Sequence, residues 1–399
     1  MGNKRLTPPY GNMYHSIKAI YYEPYCCVNV NNMLTDWFLS ESSVRQGDTL
    51  SPTLFGVFIN DIVSEINGLN QGIVINGKCI SILLYTDDIA IMSETPLGLQ
   101  HMLTQIHKWS TQWRIRFNIK KSQVVHYRRS SVPLTESVFY LGETQLDIVS
   151  QYKYLGVILN EFLDYSVTAK FLADSGNRAL GALINKYKHL NGLGYYSYTK
   201  LFQSGVCPIL DYGSGIRGFG DYSSIYSIQN KAMRIFLGVH KCAPLPALTG
   251  DMGCSSSSTR RKVNICRFYN ILHNMENNRI TKFIFEWDKN LDTSKTWSSE
   301  IRSILAEINL SNDFDNNTNV NINMAQTNEL FCKNWKLKIV NMPKLRTYKT
   351  FKTRVEPEPY VISFMSRRQR SILAQLRFGI LPIEIEIGRW SGKDLGERM

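Results

Sequence analysis

The sequence predicts an α+β fold, in which a small mixed or antiparallel sheet with packed helices precedes a mostly helical remainder. Short apolar segments separated by turn residues fill residues 73–92, which predicts strands. Apolar residues recur at helical spacing on both sides of them, over residues 51–66 and 99–113. Helical patterns dominate from about residue 168, and 399 residues are enough for two or three domains.

The helices of the first part are indicated by their apolar spacing. The first is predicted to begin at Ser51-Pro52, with serine as its N-cap and proline at its first helical position. Its apolar face consists of Phe55, Phe58, Ile59, Ile62, Val63 and Ile66. The face of the second consists of Leu99, Met102, Leu103, Ile106 and Trp113. A strand is predicted around Val124 to Tyr127.

The strands between these helices are indicated by turn residues. Ile73 to Ile75 and Ile80 to Tyr85 flank Asn76-Gly77, a strong hairpin signal. The apolar pattern continues past Asp87-Asp88 into residues 89–92. Two adjacent acids therefore lie between short apolar strands.

The rest of the chain reads as helical. Patterns typical of helices cover residues 168–190, 200–210 and 225–237, and they resume at Lys333. Ser255–Ser258 and Asn309–Asn328 predict surface loops. We therefore divide the chain into residues 1–160, 161–250, 251–332 and 333–399.

The charge of the chain favours a polyanionic partner. Lys and Arg total 46 against 33 Asp and Glu, which gives a formal net charge of +13. Aromatic residues make up 12%, and rings among basic groups suit base stacking, although most belong to a core. The eight cysteines show no zinc spacing, and most of them are predicted to be buried, reduced thiols. The absence of a signal peptide or of an apolar run near ~20 residues predicts an intracellular protein without a membrane span, nuclear or cytoplasmic.

The acid pair Asp87-Asp88 suggests metal chemistry. Carboxylates held among apolar residues need a counter-charge, and a divalent cation with hard oxygen ligands supplies it. Two Mg²⁺ ions, or Mn²⁺, would activate an attacking hydroxyl and stabilise a leaving phosphate if further acids converge on the same point. The alternative is a solvated Asx-turn between strands.

A second motif lies upstream, where Gln46-Gly47 is followed by Ser51-Pro52. A glycine lets the backbone approach a nucleotide closely, and a helix start fixed by Ser-Pro would hold that glycine in place. The alternative is an ordinary glycine turn before a capped helix. That alternative does not explain why the motif accompanies Tyr85-Thr86-Asp87-Asp88.

Together these motifs resemble the reverse transcriptases of non-LTR (LINE-type) retrotransposons. Val44 to Phe55 is similar to the family's Gly-Val-Arg-Gln-Gly-x-x-Leu-Ser-Pro-x-Leu-Phe motif, with Ser43 in place of the leading glycine. Tyr85 to Asp88 is similar to its Tyr-Ala-Asp-Asp box, with Thr86 in place of alanine. The next motif is matched by Trp113 through Asn118 with Lys121 and Ser122.

The resemblance extends further along the chain. Tyr152 to Val157 looks like the primer-grip hairpin, and Val206 to Gly213 and Leu237 to Val239 look like thumb segments. The ending is similar as well, in Leu376 to Gly379, Leu381 to Glu384 and Gly388-Arg389. A cysteine pair often follows that ending in relatives, whereas this sequence stops at Met399.

The resemblance implies a domain plan and site residues. Residues 1–160 would form partial fingers and palm ending in the primer grip, 161–250 a helical thumb, 251–332 a helical linker region and 333–399 a basic C-terminal helical region. RNA template, DNA primer or target, and deoxynucleoside triphosphates would be the partners. The implied metal ligands are Asp87 and Asp88, with Lys121 as a catalytic general acid. The implied nucleotide and template contacts are Arg45, Gln46, Gly47, Ser51, Pro52, Phe55 and Tyr85, and the primer grip is Tyr154, Leu155 and Gly156.

The resemblance also implies a missing acid. The family's first catalytic aspartate precedes the segment that corresponds to Ile17–Tyr22, and Asp36 matches only a loop position. We therefore expect an N-terminally truncated reverse transcriptase that does not polymerise by itself. The alternatives are an inactive nucleic-acid-binding remnant of a truncated element and, more distantly, a hydrolase that uses the acid pair.

Basic residues cluster after the second helix. We interpret these residues, which include Lys121, as phosphate contacts, and the alternative is an ordinary solvated surface. The same two interpretations apply to the basic segment Lys333–Arg354. The predicted nucleic-acid surface consists of Arg114, Arg116, Lys120, Arg128 and Arg129.

Overall fold

The computed structural model describes residues 11–40, 47–291, 293, 296–307 and 324–381. The chain divides into two compact units. Unit 1 is drawn from Met1–Val124 and Leu134–Val149, and unit 2 from Val125–Pro133 and Ser150–Met399.

Unit 1 combines three helices with short strands. The helices are α1 (Asn12–Tyr21), α2 (Ser51–Gly68) and α3 (Pro96–Trp113), with a 3-10 turn at Ile119–Lys121. The strands are β1 (Tyr25–Cys26), β2 (Asn29–Val30), β3 (Met33–Leu34), β4 (Phe38–Leu39), β5 (Ile73–Ile75), β6 (Lys78–Ile80), β7 (Ile82–Tyr85), β8 (Asp88–Ile91), β9 (Gln123–Val124), β10 (Phe139–Leu141) and β11 (Thr144–Ile148). The predicted α+β class is confirmed.

The strands of unit 1 do not join into the one small sheet that the sequence predicts. β1 pairs with β4, β2 with β3, β5 with β6 and β7 with β8, each as an antiparallel pair, and β10-β11-β9 is a three-stranded mixed sheet. Each strand is only two to five residues long. Tight turns with positive φ, such as Asn31-Asn32 and Asn76-Gly77, close them into local hairpins.

The core of unit 1 lies between α2, α3 and the β7–β8 hairpin. Helical spacing brings Ile59, Ile62 and Ile66 of α2 into it, as predicted. The face of α3 joins them through Met102, Leu103 and Ile106, together with Trp109. Helix α3 begins where Thr95 accepts a hydrogen bond from the Gly98 amide and Pro96 occupies the first turn.

The described residues of unit 2 are helical apart from one hairpin, β12 (Gln151–Tyr154) and β13 (Val157–Asn160). Its helices are α4 (Ser166–His189), α5 (Tyr195–Gly205), α6 (Cys207–Leu210), α7 (Ser214–Arg217), α8 (Ser223–Leu237), α9 (Leu245–Asp251), α10 (Ser257–His273), α11 (Ile280–Lys289), α12 (Trp297–Glu307), α13 (Met324–Val340), α14 (Tyr348–Phe351), α15 (Pro359–Ile362) and α16 (Arg367–Arg377), with a 3-10 turn at Pro343–Leu345. None of the helices in the described residues is long and apolar enough to cross a membrane.

The serine run at 255–258 is a helix start and not the predicted loop. The Ser256 hydroxyl accepts a hydrogen bond from the Thr259 amide, and Ser257, the first residue of α10, is fully buried. Serine is a preferred N-cap residue, so a run of serines can start a helix as well as form a loop. Of the predicted loop at 309–328, residues 309–323 lie outside the described residues, and α13 begins at Met324.

The described C-terminal residues pack into the core of unit 2. Trp335, Tyr348 and Phe378 share one hydrophobic cluster with Leu180 of α4 and Phe236 of α8. Buried polar groups fasten them as well, because the Asp251 carboxylate accepts hydrogen bonds from the hydroxyls of Tyr348 and Tyr360 and from the guanidinium of Arg377. Residues 161–250 and the described part of 333–399 therefore form one core.

Candidate active site

The two acids proposed from the sequence lie at the tip of the β7–β8 hairpin. The strand register pairs Tyr85 with Asp88, which leaves Thr86 and Asp87 as a two-residue turn. Thr86 has a φ of 52°, and primed hairpin turns need such a positive φ. Because Thr86 is β-branched, the left-handed conformation is strained there.

Side chains alternate along the two strands, so the hairpin has one buried apolar face and one face that is largely exposed to solvent. Ile82, Leu84 and Ile89 pack on the core of α2 and α3. Directly paired residues of antiparallel strands share a face, so the side chains of Tyr85 and Asp88 leave together on the opposite face, where both are exposed.

The carboxylates are not held in apolar surroundings, contrary to the expectation from their flanking residues. Asp87 and Asp88 are both exposed, because the strands bury one face only and the turn extends beyond it. In the part of the chain that the structure describes, no group of three or more His, Cys, Asp or Glu side chains is placed to hold a metal ion. The hairpin thus offers two adjacent sets of hard oxygen donors that are open to solvent.

The Gln-Gly motif is described from its glycine onward. Arg45 and Gln46 lie outside the described residues. Gly47 has a φ of 83°, and a Cβ built on it would meet no atom of the described residues within 4 Å. The open space beside this backbone fits the expected close approach of a ligand, and the positive φ gives a second reason for glycine.

A carboxylate that the sequence analysis did not select organises the start of α2. Asp48 Oδ1 accepts a hydrogen bond from the Leu50 amide at 3.1 Å, and Asp48 Oδ2 accepts one from the Tyr21 hydroxyl at 3.2 Å. Ser51 is the first residue of α2 and not its N-cap, and its buried hydroxyl lies 3.3 Å from the Tyr21 hydroxyl. The Asx turn that Asp48 forms replaces the predicted serine cap.

Pro52 and Phe55, the other two residues of α2 that the resemblance assigns to nucleotide or template contact, differ in solvent exposure. Pro52 is exposed in the first turn, where its missing N–H costs nothing. Phe55 is half-buried against the core, with its ring centroid 6.4 Å from that of Phe58. Core packing therefore accounts for Phe55 without a ligand.

The predicted primer-grip residues form the tip of the β12–β13 hairpin in unit 2. Tyr154 pairs with Val157, and the turn residues Leu155 and Gly156 have φ values of 47° and 80°. The Leu155 carbonyl accepts a hydrogen bond of 2.7 Å from the Tyr212 hydroxyl. Tyr212 lies in the segment Val206–Gly213 that resembles a thumb segment. Its hydrogen bond to Leu155 spans 57 residues, so no local sequence pattern predicts it.

The predicted basic surface is divided between the two units. Arg114, Arg116 and Lys120 are exposed in unit 1, and Arg129 is exposed in unit 2. Lys121 is exposed and ends the 3-10 turn that follows Asn118.

Arg128 does not present a free guanidinium, which corrects its assignment to the surface. Its side chain is 15% exposed and pairs with Glu161 at 2.7 Å. It also donates to the Val132 carbonyl at 2.6 Å and lies over the Phe162 ring. These contacts fix the loop of residues 125–133 to the end of β13.

Comparison with known proteins finds a family similarity in the part of the chain that carries most of these motifs. Residues 6–159 match the family described as reverse transcriptase (RNA-dependent DNA polymerase). The chain is 28% identical over 232 residues to the RNA-directed DNA polymerase from mobile element jockey of Drosophila funebris, covering 54% of this chain and 23% of the relative. It is 26% identical over 241 residues to the probable RNA-directed DNA polymerase from transposon BS of Drosophila melanogaster, covering 58% and 26%.

A third relative matches a shorter part of the chain. The chain is 27% identical over 146 residues to the retrovirus-related Pol polyprotein from the type-1 retrotransposable element R2 of Nasonia vitripennis, covering 35% of this chain and 14% of the relative. The chain spans about a quarter of the length of the jockey and BS proteins.

Proposed function

We propose that this chain, whose residues 6–159 match the reverse transcriptase family and which is similar to the polymerases of the mobile elements jockey and BS, uses its β7–β8 hairpin for RNA-templated DNA synthesis. The observation that carries the proposal is the tip of this hairpin. Two carboxylates are exposed there beside Tyr85, on a turn that the core of unit 1 holds from one side only.

Asp87 and Asp88 would hold divalent cations, either Mg²⁺ or Mn²⁺. Carboxylate oxygens are the ligands that these ions prefer, and both side chains are accessible. Bound ions would activate the primer hydroxyl and neutralise charge on the leaving pyrophosphate. The side chains of the chain would hold the reacting groups in position for this chemistry. At least one further acid would be needed to complete the metal site.

The remaining motif residues would line the substrate path of unit 1. The open backbone at Gly47 would let a nucleotide approach, and the Asx turn of Asp48 would hold the start of α2 behind it. Arg45, Gln46, Ser51 and Pro52 would contact the nucleotide or the template. Tyr85 shares the face of Asp88 and would pack near the primer end. Lys121 would protonate the leaving pyrophosphate.

The nucleic acid would be bound by exposed cations and by the hairpin of unit 2. Arg114, Arg116, Lys120 and Arg129 are exposed and would contact phosphates. The turn at Leu155-Gly156 would grip the primer strand, and the helices of unit 2 would act as the thumb. RNA template, DNA primer and deoxynucleoside triphosphates are the proposed substrates.

The test is primer extension on an RNA template with Mg²⁺. Two proteins are compared: the chain by itself, and a chimera in which the chain replaces the segment that it matches in the Drosophila funebris jockey polymerase. We expect extension by the chimera only, since two acids at one hairpin do not complete a two-metal site. A chimera that binds the hybrid without extending it would instead indicate an inactive nucleic-acid-binding remnant.

A further inference from the structure

The tip of the β12–β13 hairpin packs against the side chain of Tyr212. The Tyr212 hydroxyl donates to the Leu155 carbonyl at 2.7 Å. A Cβ built on Gly156 would lie 2.9 Å from Cε1 of the same ring, closer than real Cβ contacts come. Gly156 therefore meets two demands, a φ of +80° and a ring that leaves no room for a side chain.

Tyr212 is itself held by a buried cation. Arg217 is 1% exposed, and its Nε donates to the Tyr212 carbonyl at 2.9 Å while its Nη2 donates to the Leu210 carbonyl at 2.8 Å. The preceding residue, Asp211, accepts from Arg260 at 2.9 Å. These bonds restrain the backbone on both sides of Tyr212, so the ring extends to the hairpin from a fixed point of attachment in unit 2.

The hairpin is fastened at a second point on its other strand. The buried Thr168 hydroxyl of α4 donates to the Ile158 carbonyl at 2.6 Å and accepts from the Ile158 amide at 3.0 Å. With β13 fixed by Thr168 and the turn fixed by Tyr212, the tip has a defined position relative to the helices of unit 2.

We infer that Tyr212 is a positioning residue for the primer strand, acting through the Leu155-Gly156 turn that it supports. The assignment rests on the proposed function, because that function gives the turn a primer to hold. It goes beyond that function in naming a side chain outside residues 6–159 that would set where the primer end lies.

The first experiment measures docking of the tip by amide hydrogen exchange of peptides covering residues 151–160. Tyr212→Phe keeps the ring and removes one neutral hydrogen bond, so we expect exchange to accelerate roughly fivefold. Tyr196→Phe is the matched control, because Tyr196 is 67% exposed in the same unit. Equal exchange in Tyr212→Phe and the parent chain would overturn the inference.

The second experiment uses the full chain with an RNA template and a DNA primer that ends in 4-thiothymidine. We expect ultraviolet crosslinking of the primer end to residues 151–160 in the parent, and a severalfold decrease in Tyr212→Phe with an unchanged melting temperature. A merely structural tyrosine would lower the melting temperature without redirecting the crosslink.

The outcomes of that experiment separate the two claims. If the parent crosslinks at the hairpin and Tyr212→Phe crosslinks equally well, the positioning role is wrong and the proposed function stands. If the parent binds the hybrid but never crosslinks at 151–160, the primer-grip part of the proposed function fails and the inference fails with it.

A double-mutant cycle checks that the ring contact carries the effect. Asparagine tolerates a positive φ but brings a Cβ, so Gly156→Asn should push the turn away from Tyr212 and reduce the crosslink. In a Tyr212→Ala background the same substitution should cause little further decrease, because the ring is gone. Additive decreases would contradict the contact.

Discussion

Tyr85 and Asp88 form the last cross-strand pair of the β7–β8 hairpin, and their side chains leave the same exposed face. This pairing places an aromatic ring beside a carboxylate next to a strained turn. The opposite face is anchored by Ile82 and Leu84 in the core of unit 1. The hairpin therefore presents its polar tip from a rigid base.

Relief of the strain at the turn should stabilise unit 1. Thr86 has a φ of 52°, which a β-branched residue adopts at a cost, whereas asparagine adopts it readily. We predict that Thr86→Asn raises the free energy of unfolding by about 0.5–1 kcal/mol, measured by urea unfolding. Thr144→Asn, in strand β11, should bring no gain, and a Thr86→Asn variant less stable than the parent would refute the strain.

The buried tyrosines of unit 2 predict a decrease of stability at alkaline pH. Burial raises the pKa of Tyr195, Tyr198, Tyr348 and Tyr360 above the ordinary value of 10.0. Above pH 10 the unfolded chain releases these protons while the folded chain keeps them. The stability is thus complete below pH 10 and falls as pH rises, by up to about 1.4 kcal/mol per pH unit for each tyrosine.

The measurement is the urea midpoint between pH 8 and pH 11. Tyr360→Phe should flatten the decline, because it removes one of the four phenols, while Tyr196→Phe should leave the slope unchanged. Cys254 adds to the decline in the same direction, since burial raises the pKa of its thiol to about 11. A midpoint that stays constant up to pH 11 would contradict the prediction.

Asp251 is the buried anion that unites the polar groups at the C-terminal side of unit 2. It is fully buried and accepts from Tyr348 at 2.7 Å, Tyr360 at 2.8 Å and Arg377 at 2.8 Å. Asp251→Asn keeps the shape but removes the buried negative charge that pairs with Arg377 and accepts from the two tyrosine hydroxyls. Arg377 then keeps only its second carboxylate partner, Glu358 at 2.9 Å, so we predict a decrease of about 3 kcal/mol in the free energy of unfolding. The exposed Asp174→Asn should change it by less than ~0.5 kcal/mol.

The exposed arginines after α3 should determine the salt dependence of nucleic-acid binding. Removing a cation that neutralises one phosphate lowers the slope of log affinity against log salt by about 1. We predict that the double variant Arg114→Ala/Arg116→Ala lowers the slope by about 2, measured by fluorescence anisotropy of an RNA–DNA hybrid. The neutral neighbour Gln112→Ala should leave it unchanged. A slope unaltered in the double variant would place the binding surface elsewhere.

Local patterns in the sequence were sufficient to predict helices α2 and α3 of unit 1 and the hairpin between them. Helical spacing located the buried faces of α2 and α3, and the acid pair between apolar strands located the hairpin turn. Periodicity and turn chemistry depend on neighbouring residues, which is why they can be read directly. The exposure of Asp87 and Asp88 was missed because an apolar flank does not reveal that only one face of a strand is covered.

Three interactions that escaped prediction join residues distant in sequence. Asp48 is bound by Tyr21 over 27 residues, and Arg128 pairs with Glu161 over 33. Charge alone made Arg128 look like a phosphate ligand, while its partner was visible only in the fold. The hydrogen bond of Tyr212 to Leu155 also becomes visible only in the fold. Polar pairs between residues distant in sequence are therefore what the sequence did not predict here.

The most direct test of the central claim is primer extension by the jockey chimera carrying Asp87→Asn or Asp88→Asn, with Asp147→Asn as an exposed carboxylate control in the same unit. If the hairpin acids hold the catalytic metal ions, each of the first two variants extends primers at least about 100-fold more slowly, while the control retains the parent rate. Extension by both hairpin variants at the rate of the parent chimera would contradict the account.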